Sequence, residues 1–481
     1  MRELETSRAY KTFKNFESMN RIPRCSNNEQ NISDFLVEFA KNLDLEVTQD
    51  ETLNVLIKKP GTMGLEEHDA VALQAHMDMV CEKEETCTHD FEKDPIDMYI
   101  DEGYIKARGT TLGADNGLGV SLALDILESN DIKHPPLEVI ITATEETGMD
   151  GAIGLSSTAL SAKRLINLDT EDEGVMIIGC AGGINAFVEL PMKYIEDKSL
   201  TNRTITISGL AGGHSGLTIG SEHMNAIKVL DNAISKLRNE MDIKLQNISG
   251  GTKHNAIPTK ATAILGIKSD QIVEFENKFE KIANQLVNQY LKRESGLKIE
   301  LGEAPNYDIY IEQDTSKKIL SLISLLPHGV NTMASVEEEL VESSNNLAIV
   351  GILNDVFKIS LSIRSSNEEQ RRILIDKVKE VARIIGAKVS FSDGYPMWQP
   401  NYESELSEIA KESYEHLTND KLVVKTIHAG LETGLLSEKY PEMDMISIGP
   451  NIFGAHTPLE RLSISSTEFT RDYLIDILSR L

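Results

Sequence analysis

Residues 71–80 read VALQAHMDMV, a short apolar run that ends in His76 and Asp78. A run of this length and composition is typical of a strand buried in a parallel sheet. Two later runs have the same form: LEVIITA is followed by Glu145 and Glu146, and RLINL is followed by Asp169. Side chains that follow strands are held rigidly and still open to solvent, so we expect chemistry at this edge of the sheet.

Helical patterns lie between these strands and continue the alternation. Residues 31–43 have helical spacing, and GLGVSLALDILES (117–129) is an apolar helix that opens at a glycine-rich turn. Near the C-terminus, DMISIG precedes the loop of His456, and we predict a final helix at 467–481 after a capping box at Ser465. The alternation predicts an α/β domain with a mainly parallel, helix-covered sheet.

The middle of the chain contains a pattern that occurs twice. From Ala261 and again from Phe357, an alternating strand, a polar turn, a long amphipathic helix and a second alternating strand follow in the same order. Any two such units look alike by pattern, but the helix length and both turn positions agree, which favours internal duplication. We therefore predict an α+β lid domain, built from two similar strand-helix-strand units and inserted at 183–395. The catalytic domain would then consist of 1–182 and 396–481.

The composition argues against several classes of protein. A net charge of −28 over 481 residues repels nucleic acid, and no apolar stretch approaches the ~20 residues that a membrane span requires. Four cysteines without a C-x-x-C pair do not indicate a disulfide framework, and the charged N-terminus lacks the apolar core of a signal peptide. We expect a soluble, reduced, cytoplasmic protein. Its acidic runs, including Glu337–Glu339, are expected to be mostly solvated surface.

The polar groups at the strand ends indicate metal binding. Histidines and carboxylates are concentrated between His76 and Asp169 and recur at His456. Imidazole and oxygen ligands without thiolate suit a pair of borderline-hard divalent ions. Zinc is favoured by this ligand set, and manganese and cobalt accept the same ligands. The sequence therefore predicts a two-metal hydrolase.

Eight strings in fixed order carry a resemblance to a known family. HMDMVCEK, GTTLGADNGLG, TEETGMDGA, NLDTEDEG, GGHSG, HNAIP, HAGLE and GPNIFGAHTP are similar to those of the aminoacyl-histidine dipeptidases, carnosinase-like cytosolic di-zinc peptidases. The resemblance runs from His76 to the C-terminus. Each short motif alone is weak, whereas the ordered set H-x-D, D-N-G, E-E, D and H is specific.

The resemblance implies a set of metal ligands. They would be His76 with Asp169 on one ion, Glu146 with His456 on the other, and Asp115 as the bridge between the two. A cis peptide bond would follow Asp115, although D-N-G is on sequence alone also typical of a turn. The acidic residues that follow Asp169, at 171–173, are expected to be surface charge.

Two further residues of these motifs are expected to act beside the metals. Asp78 would orient the ring of His76 as a carboxylate behind the ligand. Glu145 would accept a proton from the water held between the ions and deliver it to the leaving amine. On sequence alone, an E-E pair is also typical of a solvated turn, but the apolar strand that leads into this one favours the functional interpretation.

The lid domain is expected to supply the substrate contacts. The resemblance implies that His214 stabilises the tetrahedral oxyanion, and that Asn255 and Arg364 hold the C-terminal carboxylate of the substrate. The HAGLETG loop would offer backbone amides, Gly430 among them, and Glu432 near the ends of the substrate. On sequence alone, a glycine-flanked histidine and a lone arginine on a strand are more often exposed side chains.

The resemblance implies a metallo-exopeptidase that cleaves dipeptides of the aminoacyl-histidine or β-alanyl-histidine type at an unblocked N-terminus. The same metal set also serves aminoacylases, related deacylases and tripeptidases, and an inactive homologue acting as a binding protein is a further alternative. The expected partner is a small peptide, without nucleic acid or membrane. The chain is expected to be a monomer, or a homodimer formed through the lid domain.

Overall fold

The computed structural model describes residues 2–221, 223–334 and 340–481 of the chain. Glu337–Glu339 lie outside the described residues. The α-helices are α1 Tyr10–Met19, α2 Gln30–Asn42, α3 Ala114–Glu128, α4 Asp150–Gly154, α5 Ala226–Glu240, α6 Ile272–Tyr290, α7 Gln313–Leu325, α8 Glu368–Ile385, α9 Glu405–Thr418, α10 Glu432–Lys439 and α11 Ile464–Arg480.

The β-strands follow the same chain order. They are β1 Glu46–Gln49, β2 Val55–Lys59, β3 Val71–His76, β4 Met98–Asp101, β5 Tyr104–Ala107, β6 Leu137–Thr142, β7 Arg164–Asn167, β8 Val175–Cys180, β9 Gly182–Pro191, β10 Tyr194–Glu196, β11 Leu200–Ser208, β12 Lys244–Gly250, β13 Ala261–Lys268, β14 Lys298–Glu303, β15 Ile309–Ile311, β16 Gly329–Met333, β17 Val341–Leu353, β18 Val356–Ser365, β19 Lys388–Phe391, β20 Val423–Ile427, β21 Asp444–Ser447, β22 Ile452–Phe453 and β23 Arg461–Ser463.

The chain divides into two compact units by its internal contacts. Unit 1 consists of Met1–Cys180, Trp398–Thr426 and Leu431–Leu481, and unit 2 of Ala181–Met397 with the short segment Ile427–Gly430. The segment 427–430 was not anticipated as part of the second unit. Across the described ranges, every helix is too short or too polar to span a lipid bilayer.

Unit 1 is built on an eight-stranded sheet in the order β1-β2-β6-β3-β7-β21-β8-β20. The central strands β6, β3, β7 and β21 are parallel, whereas β1, β2 and β8 pair antiparallel. All six residues of β3 and of β6 are buried, which explains why both strands are continuous apolar runs rather than alternating ones. Helix α3 is buried over most of its length and packs against β3. The predicted helix-covered parallel sheet is confirmed.

Unit 2 contains two copies of one βαββαβ arrangement. The first copy runs β11-α5-β12-β13-α6-β14, and the second consists of β9, α7, β17, β18, α8 and β19, with the first copy inserted after its opening strand. In the sheet, the strands of the first copy lie in the order β12-β13-β11-β14, and the equivalent strands of the second copy lie in the order β17-β18-β9-β19. The two copies form one sheet because β12 pairs antiparallel with β17. The two predicted strand-helix-strand units are confirmed. Each is half of a larger repeat that the sequence pattern did not indicate.

Two sequence-based expectations need correction. Cys25 and Cys81 form a disulfide, whereas we expected reduced cysteines; Cys87 and Cys180 carry free thiols. The pair is brought together because Cys25 and Met79 form a parallel β-bridge, which leaves the two Cα atoms 5.7 Å apart.

The second correction concerns the last helix. It begins at Ile464 rather than at residue 467, because strand β23 runs directly into it. Its N-cap is Ser463, which accepts a hydrogen bond from the backbone N–H of Ser466. Ser465, the expected capping residue, therefore lies inside the helix.

Candidate metal centre

Five side chains predicted as metal ligands lie in unit 1. His76 is the last residue of β3, Glu146 follows β6, and Asp169 follows β7. Asp115 lies in the first turn of α3, and His456 lies between β22 and β23. Because β3, β6 and β7 are parallel neighbours, their carboxyl ends meet at one edge of the sheet.

The carboxylate of Asp115 faces one histidine with each of its oxygen atoms. Its Oδ1 lies 3.3 Å from Nε2 of His76, and its Oδ2 lies 3.0 Å from Nε2 of His456. Asp169 Oδ1 lies 3.5 Å from the His76 nitrogen, and Glu146 Oε2 lies 3.0 Å from the His456 nitrogen. The five side chains thus form two groups that share Asp115, and the Asp115–Asn116 peptide bond is cis, as the resemblance implies.

This arrangement fits divalent cations. Donor atoms of His76, Asp115 and Glu146 all lie within 4.8 Å of one another. Two carboxylates converge on the same nitrogen of each imidazole, so their charges repel one another unless a cation lies between them. Imidazole nitrogen and carboxylate oxygen are ligands that zinc accepts, and the whole set lacks thiolate.

The carboxylate of Asp78 lies close to groups at the ends of both β3 and β6. Its Oδ1 lies 3.3 Å from Nδ1 of His76, on the side of the ring away from Asp115. The same carboxylate accepts the backbone N–H groups of Glu145 at 3.0 Å and Glu146 at 3.2 Å, and the hydroxyl of Ser26 at 2.7 Å. Asp78 therefore holds the loop after β6, a contact that no sequence motif indicated, and its place beside Nδ1 is compatible with the predicted role of orienting the imidazole.

Glu145 lies beside the presumed ligands in an environment that favours its neutral form. Burial raises the pKa of its carboxyl well above the ordinary value, and the nearby carboxylates of Glu146, Asp169 and Glu432 act in the same direction.

Glu171 was expected to be a charged surface residue, and this prediction is wrong. Its side chain is largely removed from water, and burial together with Asp115 raises its pKa to about 8.

Glu432 was expected to lie in a loop, but it lies in a helix. It begins helix α10 and is 1% exposed, and its Oε2 accepts hydrogen bonds from Gln74 Nε2 and Thr142 Oγ1, each at 2.6 Å. Burial raises its pKa to about 7. Because Gln74 and Thr142 lie on β3 and β6, this carboxylate belongs to the buried polar layer at the strand ends of unit 1.

The predicted substrate residues His214 and Asn255 lie in neighbouring loops of unit 2. The backbone N–H of Ser215 donates to the carbonyl of Asn255 at 2.8 Å, and His214 bridges to Ala256. Nδ1 of His214 accepts the N–H of Leu217 at 3.1 Å, which assigns the ring proton to Nε2. Both predicted residues line one cavity of about 380 Å³.

Arg364 lies on strand β18 of the same unit, close to His214: a Cβ atom at Gly216 would lie 3.2 Å from Cε1 of His214 and 3.3 Å from Nε of Arg364. It is 7% exposed and donates from Nη1 to the hydroxyl of Tyr395. His428 is also buried, and its Nε2 lies 2.7 Å from Oγ of Ser344; burial and Arg364 lower its pKa to about 3. Tyr395 and His428 were not predicted to accompany Arg364, because strand pairing and not sequence spacing brings them together. Gly430 fits closely, since a Cβ there would lie 2.6 Å from the Tyr395 ring.

The chain is similar to known peptidases over nearly its whole length. The model of the peptidase family M20/M25/M40 matches residues 72–480. The cytosol non-specific dipeptidase of Escherichia coli (strain K12) is 37% identical over 461 residues, 96% of this chain and 95% of that protein. The aminoacylhistidine dipeptidase structure from Vibrio alginolyticus is 34% identical, with a TM-score of 0.88 over 100% of this chain and 99% of that one.

A more distant structure shares the fold. Aminopeptidase PepT from Bacillus cereus has a TM-score of 0.56 at 17% identity, over 98% of each chain. The family match covers all five candidate ligands, and it confirms the resemblance that the ordered motifs indicated. This chain belongs to the metallopeptidase family M20/M25/M40.

Proposed function

We propose that this chain is a two-metal dipeptidase that hydrolyses dipeptides with a free N-terminus. The observation that supports it most is Asp115, whose two oxygen atoms face His76 and His456 separately. Two divalent ions bound there, with zinc favoured, would activate a water molecule and polarise the scissile carbonyl.

Glu145 is the proposed proton carrier of the reaction. It accepts a proton as water adds to the scissile carbonyl carbon, and it delivers that proton to the nitrogen of the leaving amine as the C–N bond breaks. Its position beside Glu146, within electrostatic reach of His76 and Asp169, supports this role. Asp78 keeps the His76 ring and the Glu145 backbone in place.

The substrate class rests on the relatives. Both similar proteins are named dipeptidases, one non-specific and one for aminoacyl-histidine, so we propose dipeptides as the class and Xaa-His peptides among them. The location in the cytosol that we expected has support from the name of the Escherichia coli relative. His214, Asn255 and Arg364 are assigned to substrate contact by the resemblance alone.

A substrate panel tests this function. The purified chain would be assayed with Ala-His, β-alanyl-histidine, Gly-Leu, an N-acetylated dipeptide, an N-acetyl amino acid and a tripeptide, with metal content measured by mass spectrometry. We expect hydrolysis of the unblocked dipeptides and about two ions per chain. Preferred hydrolysis of the N-acetyl amino acid indicates an aminoacylase and that of the tripeptide a tripeptidase. No turnover with two bound ions indicates an inactive binding homologue.

A further inference from the structure

The carboxylate of Glu460 is buried at the beginning of helix α3. It is 3% exposed and accepts backbone N–H groups from four consecutive residues, Leu112 to Asp115, at 2.7 to 3.3 Å. The first amides of a helix have no partner within the helix, and its dipole favours a negative charge there. Glu460 therefore fixes the backbone from which Asp115 projects.

Glu460 also belongs to the loop that carries His456. Within that loop the N–H of Thr457 donates to the carbonyl of Gly454 at 3.2 Å, and the N–H of Glu460 donates to the carbonyl of Thr457 at 3.0 Å. The loop is thus a compact turn that carries both His456 and Glu460. Through Glu460, the His456 loop is tied to the segment of Asp115.

Arg24 makes the corresponding connection on the other side of the Asp115 segment. Its guanidinium is 1% exposed; Nη2 donates to the carbonyl of Gly113 at 2.6 Å, and Nη1 donates to those of Met77 at 3.0 Å and Asp78 at 3.2 Å. Burial lowers its pKa to about 10, so it remains a cation at neutral pH. Arg24 therefore ties the segment that follows His76 to that of Asp115.

Two glycines make room for this guanidinium. A Cβ atom at Gly113 would lie 2.4 Å from Nη2 of Arg24, and one at Gly117 would lie 2.5 Å from it. Gly113 also has a φ of +71°, which L side chains rarely adopt. The backbone around Asp115 is thus shaped to receive Arg24.

We propose that Arg24 and Glu460 are positioning residues of the metal centre. Arg24 sets the position of Asp115 relative to His76, and Glu460 sets it relative to His456. A bridging carboxylate must reach two ions at once, so its backbone must be held more precisely than that of a ligand to one ion. The proposal rests on the two-metal centre of the proposed function.

Metal titration of variants with a neutral glutamine at these positions tests this inference. Glu460→Gln removes one carboxylate acceptor, and Arg24→Gln removes donors to three carbonyls; Glu442→Gln and Arg21→Gln are matched controls at exposed positions. The full-length proteins are stripped with a chelator and titrated with Zn²⁺ by calorimetry, and the visible spectrum of the Co²⁺-loaded form is recorded. A melting curve of each stripped protein reports on folding.

We expect both variants to bind at least one ion ten times or more weakly than the wild type, with a shifted Co²⁺ spectrum, while the controls are unchanged. Variants that bind two ions with wild-type affinity and spectrum overturn the inference. If a glutamine variant fails to fold, Glu460→Asp and Arg24→Lys take its place, because each keeps the charge but alters the reach; intermediate affinity supports positioning, and wild-type affinity overturns it. A wild-type protein that binds no ion overturns the proposed function as well.

Discussion

At the scale of single residues, the proposed function assigns metal binding and proton transfer to two adjacent carboxylates. Glu145 and Glu146 are adjacent in the turn that follows β6, where the Asp78 carboxylate accepts the backbone N–H of each. Burial raises the pKa of both carboxyls, but Glu146 Oε2 lies 3.0 Å from Nε2 of His456 and so lies with the candidate ligands. This contact of Glu146 supports its assignment as the ligand and that of Glu145 as the proton carrier.

We expect Glu145→Gln to keep about two ions per chain and to lower kcat by at least ~10²-fold, because the amide cannot accept a proton. Metal analysis and steady-state kinetics on one dipeptide measure both quantities. Asp150→Asn, an exposed acid in the same connection, is the matched control. Loss of both ions together with activity would show that Glu145 is a ligand.

We expect Asp115→Ala to lose both ions, and His456→Ala to lose chiefly one. The aspartate faces both imidazole groups and offsets the repulsion between two dications, whereas His456 faces only one group. Metal content after dialysis against a weak chelator measures the difference, with the exposed Asp172→Ala as control. Two tightly bound ions in Asp115→Ala would rule out the bridge.

At the scale of elements, a partly buried histidine, His328, connects the beginning of β16 to β17 in unit 2. The N–H of Leu347 donates to Nδ1 of His328 at 3.4 Å, and Asn225 Nδ2 lies 3.3 Å from the same nitrogen. The ring therefore serves as an acceptor in its neutral form. Burial, with a contribution from Lys228, lowers its pKa to about 4.

We expect the region around His328 to lose stability as the pH falls. The unfolded chain takes up a proton near pH 6.5 and the folded chain only near pH 4, so the contribution of the neutral ring is lost between these values, by about 2.5 kcal/mol at pH 4.5. Asp231, with a pKa raised to about 6, acts in the opposite direction, so the comparison must be between variants.

The measurement compares the wild type with His328→Gln, since the contribution of Asp231 then cancels. Urea unfolding at pH 7 and pH 4.5, followed by hydrogen exchange of peptides from β17, reports the local stability. We expect the pH-dependent loss to be smaller in His328→Gln and unchanged in the exposed control His416→Gln. An equal loss in all three proteins would show that His328 is not responsible.

At the scale of the whole molecule, the candidate ligands belong to one unit only. All five lie in unit 1, while unit 2 is a continuous sheet made of two copies of one arrangement with its own apolar core. Ions that bind the folded state stabilise the part of the chain that supplies their ligands.

We expect removal of metal to lower hydrogen-exchange protection at the carboxyl ends of β3, β6 and β7 and in the first turn of α3, and to leave β9 and β18 unchanged. Exchange measured by mass spectrometry before and after chelation tests this, with the same chelator already saturated with zinc as control. Re-addition of zinc should restore protection. An equal loss in both units would contradict a centre confined to unit 1.

The sequence by itself determined the fold class and the family of this protein. Continuous apolar runs predicted β3, β6 and β7, and the residues after them predicted the metal ligands, because the pattern of burial along a strand is written in its own residues. The ordered motifs then identified the family. The beginning of α11 was misjudged, because a strand without an intervening loop leads into this helix.

Only the tertiary structure decided which distant segments meet. The Cys25–Cys81 disulfide, the burial of Glu432 beneath the strand ends, and the nesting of one repeat within the other depend on strand order and pairing between segments far apart in the chain. Arg24 and Glu460 contact the Asp115 segment from positions 89 and 345 residues away. Local patterns contain no record of such pairings, because the free energy that selects them comes from packing and hydrogen bonds formed only in the folded chain.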